Sequence, residues 1–186
     1  MSVALIESLD HEGRGVSHVD GKAIFIEGAL PGEKVEYALL RERPRYAQAE
    51  VRRVVRASAQ RVVPPCAHFG SCGGCSMQHL DALAQAAAKQ RMLEDALWHI
   101  GKVEPEIIHA LIHGPAWGYR HRARLSVRVV PSKGGVLIGF HQKRSSHIAD
   151  MQSCAVLPAQ ISPLVPALHA LIAELSIADR VPQIEI

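Results

Sequence analysis

The sequence predicts a multi-domain protein of β and α/β character, with a small OB-like β-barrel followed by a central α/β domain that is truncated at its C-terminal end. Three observations lead there. Residues 1 to 57 divide into four or five short alternating runs separated by turn residues; Pro64-Pro65 interrupts any regular element; beyond residue 80, stretches with helical and with strand periodicity follow one another. The chain has 186 residues, enough for one substantial core or two small ones, and its 48% hydrophobic and 21% charged residues are ordinary globular usage.

"SVALIESL", "GRGVSHV" and "KAIFIEG" read as strands. Asp20-Gly21, between the last two, is a hairpin signal because both turn positions tolerate positive φ. Pro31-Gly32 marks the next turn, and two further strands run to about Arg56. The expected division is therefore a barrel at 1–57, a linker at 58–65 and the central domain at 66–186. In "LDALAQAAAKQRMLEDALWHIG", Asp81 is placed to cap a helix and Gly101 to end it. Leu83, Ala87, Leu93, Leu97 and Ile100 fall roughly on one face, expected to be buried.

"YRHRARLSVRVV" alternates, setting Arg120, Arg122, Arg124 and Arg128 on one face and Ala123, Leu125, Val127 and Val129 on the other. "PSKGG" makes a turn, "VLIGFHQ" returns, "SHIADM" offers a third strand and "AQISPLVPALHALIAEL" a second helix. "VPQIEI" opens a further strand, so the chain looks cut there rather than finished.

Charge is segregated. Residues 1 to 40 carry three basic and seven acidic side chains, whereas 41 to 61 carry seven arginines against Glu42 and Glu50. Residues 119 to 147 carry seven basic side chains and no acidic one. Runs of this kind are often solvated faces, but two of them in a chain of net charge +3 point to a polyanionic partner through phosphate contact. Candidate contacts are Arg120, Arg122, Arg124, Arg128, Lys143 and Arg144, with Arg41, Arg43 and Arg45 as a second group. Tyr46, Phe69, Tyr119 and Phe140 are candidate stacking partners for bases, or core residues.

Glu7 and Asp10 stand where a signal peptide needs a basic end and an apolar run. The uncharged stretch from Met151 to Ala173 contains Pro158, Pro163 and Pro166, unlike a transmembrane helix. The expectation is a cytoplasmic monomer without a membrane partner, and in that reducing compartment clustered cysteines serve metal or redox chemistry more often than disulfides.

Cys66, Cys72 and Cys75 form C-x5-C-x2-C, and Cys154 follows 79 positions after Cys75. Four thiolates suit tetrahedral zinc or an iron–sulfur cluster. Zinc sites usually use two CxxC-like pairs, whereas the grouping here is three plus one, which favours a cluster; Gly73-Gly74 would let backbone amides approach the sulfurs. Four unrelated buried cysteines are the remaining alternative.

"CAHFGSCGGCSMQHL", with "GRGV...DGKAIFIEGALPGEKV" before it and "IGFHQKRSSHIADMQSCAVL" after it, resembles the ribosomal RNA (uracil-5)-methyltransferases that carry a TRAM domain. The resemblance implies that the barrel is a TRAM domain and that Cys66, Cys72, Cys75 and Cys154 hold a [4Fe-4S] cluster. It also implies S-adenosylmethionine as methyl donor in the full-length enzyme, and ribosomal RNA as partner. The catalytic thiol and the donor site belong to a further domain in that family, so no catalytic residue is assigned here, and the fragment is expected to bind RNA without methylating it. A stand-alone RNA-binding module with zinc or iron, a fragment of a tRNA uracil-C5 methyltransferase, and an electron carrier are the alternatives.

Overall fold

The computed structural model describes residues 2–133 and 135–186. The chain separates into two units: one holds the chain up to Val63 together with Ser76–His113, the other Pro64–Cys75 together with Gly114–Ile186.

The first unit is built on six strands: β1 (Ser2–Leu5), β2 (Ser8–Leu9), β3 (Gly15–Val19), β4 (Lys22–Glu27), β5 (Lys34–Glu42) and β6 (Tyr46–Arg56). Their order is β1-β5-β6-β4-β3-β2. Because β1 and β2 are successive parts of one stretch of chain, the two ends of the sheet are joined covalently and the sheet curls into a barrel. Alternation sends Ile24 and Ile26 of β4, Val35 and Tyr37 of β5, and Ala47 and Ala49 of β6 inward with Ile6. Three register shifts between β5 and β6 coil that pair strongly enough to turn the corner. Asp20 (φ +51°) and Gly21 (φ +77°) form the β3–β4 turn as the sequence predicts.

A carboxylate is buried at the barrel's end. Glu33 is fully buried and accepts from the backbone N–H of Leu30 (2.9 Å) and of Ser58 (3.1 Å), and from Arg61 Nε (2.6 Å) and Nη2 (2.7 Å). Arg61 also donates to the Gly28 carbonyl at 2.6 Å. Burial pushes the Glu33 carboxyl up, but the hydrogen bonds from Arg61, Ser58 and Leu30 outweigh it and hold the group below its ordinary value. Residues 58–61, expected as linker, are thereby fastened to the barrel.

Helix α1 (Ala82–Asp95) begins at Asp81, whose carboxylate accepts from Leu83 N–H (2.9 Å) and Ala84 N–H (3.3 Å), as expected of a cap. Its packing face differs from the expected one. Ala84, Ala88 and Met92 pack on Leu30, Met77 and Leu80, while Leu83 and Ile100 are 69% and 84% exposed. The surface offered by Leu30 and Met77 is small, so it takes the face whose alanines allow close approach. The helix groups with the barrel and not with the unit that follows it, so the linear division at residues 58–65 does not describe the contacts. The last turn, Ala96–Gly101, is π-helical, and Lys102 (φ +53°), not Gly101, takes the left-handed position that ends it.

The second unit carries β7 (Arg124–Val130), β8 (Gly135–Gly139) and β9 (Gln183–Glu185), antiparallel in the order β8-β7-β9, with α2 (Val165–Ala173) against them. Leu125 and Val127 of β7 and Ile138 of β8 meet Leu168 and Ile172 of α2 in one core. "VPQIEI" thus finds its partner in β7. "SHIADM" does not become a strand: Ile148 makes a single bridge to His141, and this segment bonds through Ala149 N–H to the Phe140 carbonyl (2.9 Å) and Met151 N–H to the Ile138 carbonyl (3.0 Å). It runs antiparallel beside β8 and closes on it at Gly139, where a Cβ would stand 1.9 Å from the Ala149 carbonyl oxygen, an approach only glycine permits. Of the expected "PSKGG" turn, Pro131–Lys133 form a single 3-10 turn and Gly134 lies outside the described residues. Among the described residues no helix is long and apolar enough to cross a membrane.

Candidate metal centre and nucleic-acid interface

All four cysteines fall in the second unit. The loop that carries three of them is held by local turns. The Cys66 carbonyl accepts from Phe69 N–H (3.0 Å), and the His68 carbonyl accepts from Cys72 N–H (2.9 Å). The loop then pairs with the segment after β8: Gly73 N–H donates to the His141 carbonyl (2.8 Å), and Lys143 N–H to the Ser71 carbonyl (2.9 Å). Gly73 has to be glycine here, since a Cβ would stand 2.9 Å from the His141 oxygen. Gly74 N–H donates to Cys72 Sγ at 3.3 Å, the close approach of an amide to sulfur that the glycine pair predicts.

Cys72, Cys75 and Cys154 share one hydrophobic cluster with Ala149, Met151, Val156 and Phe140. Cys72 and Cys154 are buried, Cys66 and Cys75 half-buried. Burial pushes the Cys72 thiol up, against the Gly74 N–H, and negative charge on Cys75, Cys154 and Cys66 pushes it further the same way. Burial likewise raises the Tyr119 phenol, with charge on Cys75 and Cys154 adding to it and Arg120 opposing it. Among the described residues, no three His, Cys, Asp or Glu side chains are grouped as a ready metal cage. Thiolates brought together in an apolar setting would repel one another, which a bound cationic centre would relieve, so the donor set suits a thiophilic metal without choosing between zinc and iron.

The basic candidates are dispersed over several places. Arg41, on β5, and Arg43 and Arg45, in the β5–β6 turn, are all exposed. In the second unit, β7 alternates as expected, with Arg124 and Arg128 exposed and Leu125 and Val127 buried. Arg120 leaves that stripe: it is half-buried and its guanidinium lies 4.6 Å from the centre of the Phe140 ring, over the cysteine cluster. Lys143 lies 5.4 Å from the centre of the Phe69 ring, and Arg144 (φ +53°) is exposed in the following turn. Arg122 and Arg124 both reach Glu185 on β9: Arg122 Nε donates to Oε1, and Arg124 Nη2 donates to Oε2 at 3.4 Å. The bond from Arg122, supported by Arg124, holds the Glu185 carboxyl below its ordinary value against a small effect of burial.

Sequence reasoning missed Glu185 because it lies 63 positions from Arg122. The signal available was the alternation of "QIE", which turns Gln183 and Glu185 to the face opposite Ile184. It also missed Arg14 over the Phe25 ring (5.1 Å), beside the edge-on contact of Phe25 with Tyr46 at 6.0 Å between ring centres.

The TRAM domain family matches residues 3–51, from β1 into β6 of the barrel. Among curated relatives, the 23S rRNA (uracil(1939)-C(5))-methyltransferase RlmD of Aromatoleum aromaticum is 71% identical over 186 residues, all of this chain and 43% of that protein. The RlmD of Bordetella pertussis is 58% identical over 186 residues, all of this chain and 40% of that protein. Along its whole length the chain is similar to these RlmD proteins. It spans about two fifths of the length of the RlmD relatives it matches. Among solved structures, the Pyrococcus abyssi tRNA (uracil-54, C5)-methyltransferase in complex with S-adenosyl-L-homocysteine shares the fold. Its TM-score is 0.62 at 24% identity, over 92% of this chain and 37% of that one.

Proposed function

We propose that this chain is the RNA-recognising, iron–sulfur-bearing part of an S-adenosylmethionine-dependent 23S rRNA (uracil-C5)-methyltransferase that works as a monomer in the cytoplasm. The observation that carries the reading is the identity of 71% along every residue of the chain with an RlmD relative. Methyl transfer and the methyl donor belong to the part of the protein outside these residues. The tRNA alternative draws only on the fold shared with the Pyrococcus enzyme at 24% identity.

In this reading Cys66, Cys72, Cys75 and Cys154 hold a [4Fe-4S] cluster, whose contribution is structural: it binds the segment around Cys154 to the loop at 66–75. The loop in turn fixes, through the Ser71 and His141 carbonyls, the turn that presents Lys143 and Arg144. Arg122, Arg124, Arg128 and Arg144 meet RNA phosphates, with Arg41, Arg43 and Arg45 as a second contact. Arg120 and Lys143 serve mainly by covering Phe140 and Phe69.

Anaerobic preparation is expected to give about four irons per chain and broad absorption near roughly 400 nm. Cys154→Ser is expected to lose most of both. Stoichiometric zinc without iron rejects the cluster. RNA binding is expected to weaken with salt, and removing Arg122 and Arg124 together to flatten that dependence by about one to two phosphate contacts. An unchanged slope makes the strand an ordinary solvated face.

A further inference from the structure

Arg124 on β7 pairs in register with Glu185 on β9, and Arg122 stands two residues back along the same face. Two guanidinium groups therefore converge on the two oxygens of one carboxylate. A phosphodiester offers the same pattern: a pair of acceptor oxygens carrying one negative charge, suited to the donors of arginine. The trio lies at the surface, with side chains 79% (Arg122), 61% (Arg124) and 40% (Glu185) exposed. Ion pairs so exposed hold little energy and exchange readily.

We propose that Glu185 occupies, in the free protein, the seat that an RNA phosphate takes between Arg122 and Arg124, and that RNA displaces it on binding. The inference rests on reading β7 as an RNA-contacting strand. A carboxylate in the seat lowers the local charge and so weakens indiscriminate attraction to any polyanion. It also keeps the two arginines side by side against their mutual repulsion. An RNA that brings a phosphate to this point and further phosphates to Arg128 or Arg144 replaces one anion by another and gains the remaining contacts.

The test compares Glu185→Gln, which keeps the shape and removes the charge, with Glu174→Gln, an exposed acid beyond α2 that gives the same change in net charge. Binding of a labelled single-stranded RNA oligonucleotide is followed by fluorescence anisotropy at rising salt. Glu185→Gln is expected to bind about three- to tenfold more tightly at low salt, with a steeper salt dependence, so that the gain fades as salt rises. Glu174→Gln is expected to stay within about twofold of the unaltered protein. Equal behaviour of the two variants overturns the inference, as does weaker binding by Glu185→Gln, which makes Glu185 a support for the arginines. Salt-dependent binding by the unaltered protein with no gain in Glu185→Gln leaves the RNA reading standing and removes only the displaced anion. Binding by neither removes both. Should the β9 amides lose hydrogen-exchange protection in Glu185→Gln, Glu185→Asp takes its place: it keeps the charge, draws it back from the seat, and is expected to show a smaller gain.

Discussion

The two units hold themselves together by different means. The barrel's sheet is closed by its own covalent continuity through β1 and β2, its interior is apolar, and its buried Glu33 carboxylate is met by four hydrogen bonds. The second unit has a three-stranded sheet of short strands, and much of its chain, from the cysteine loop to the segment around Cys154, is irregular. One of its cores is lined by thiols. The first is held by strand pairing around an apolar interior, whereas the second relies on close backbone approaches at Gly73 and Gly139.

The sharpest way to break that contrast is at Gly139. Gly139→Val sets a branched side chain where even a Cβ would stand 1.9 Å from the Ala149 carbonyl oxygen. It is expected to cost about 3 kcal/mol or more, with amides of β7 and β8 losing hydrogen-exchange protection while those of β3 and β4 keep theirs. Loss of protection in both sets would mean that the units do not respond separately.

Glu33→Gln probes the barrel in the same way. It leaves Arg61 without its anion and is expected to cost about 2–3 kcal/mol, at or below the low end for a broken buried pair because Arg61 remains partly hydrated. The Glu33 carboxyl sits below its ordinary value of 4.5 in the fold. Its contribution is therefore complete above about pH 5 and is lost as pH falls through 4.5 and below, when the group must take up a proton. Thermal unfolding across that range is expected to show a steeper acid loss in the unaltered protein than in Glu33→Gln. Smallest is Asp81→Ala, which removes a helix cap and is expected to cost about 1 kcal/mol, seen as local exchange at the start of α1.

How much of this was legible in the sequence depended on whether the cause was local. The Asp20-Gly21 turn and the Asp81 cap follow from neighbouring residues. The three-plus-one cysteine pattern led to the side chains that the fold gathers into one unit. The buried face of α1 was misjudged because alanines occur on both sides of "ALAQAAA", and the choice is made by Met77 just before the helix together with Leu30 far back in the chain. A third strand was expected in "SHIADM"; that segment lies along the outer edge of β8 with only scattered backbone bonds, while β9 takes the opposite side of β7. Glu185 was invisible as a partner for the same reason: a long loop and a helix separate it from the arginines it neutralises.

The division of the cysteines between a loop and a remote segment also sets a schedule for synthesis. Cys154 leaves the ribosome 79 residues after Cys75, about 4 to 16 seconds later at roughly 5–20 residues per second. During that interval the strands of the barrel are already complete, whereas three nascent thiols wait for the fourth, open to oxidants and to stray metals. For the cluster proposed above, that order of residues would make iron loading a late event in the life of the new chain.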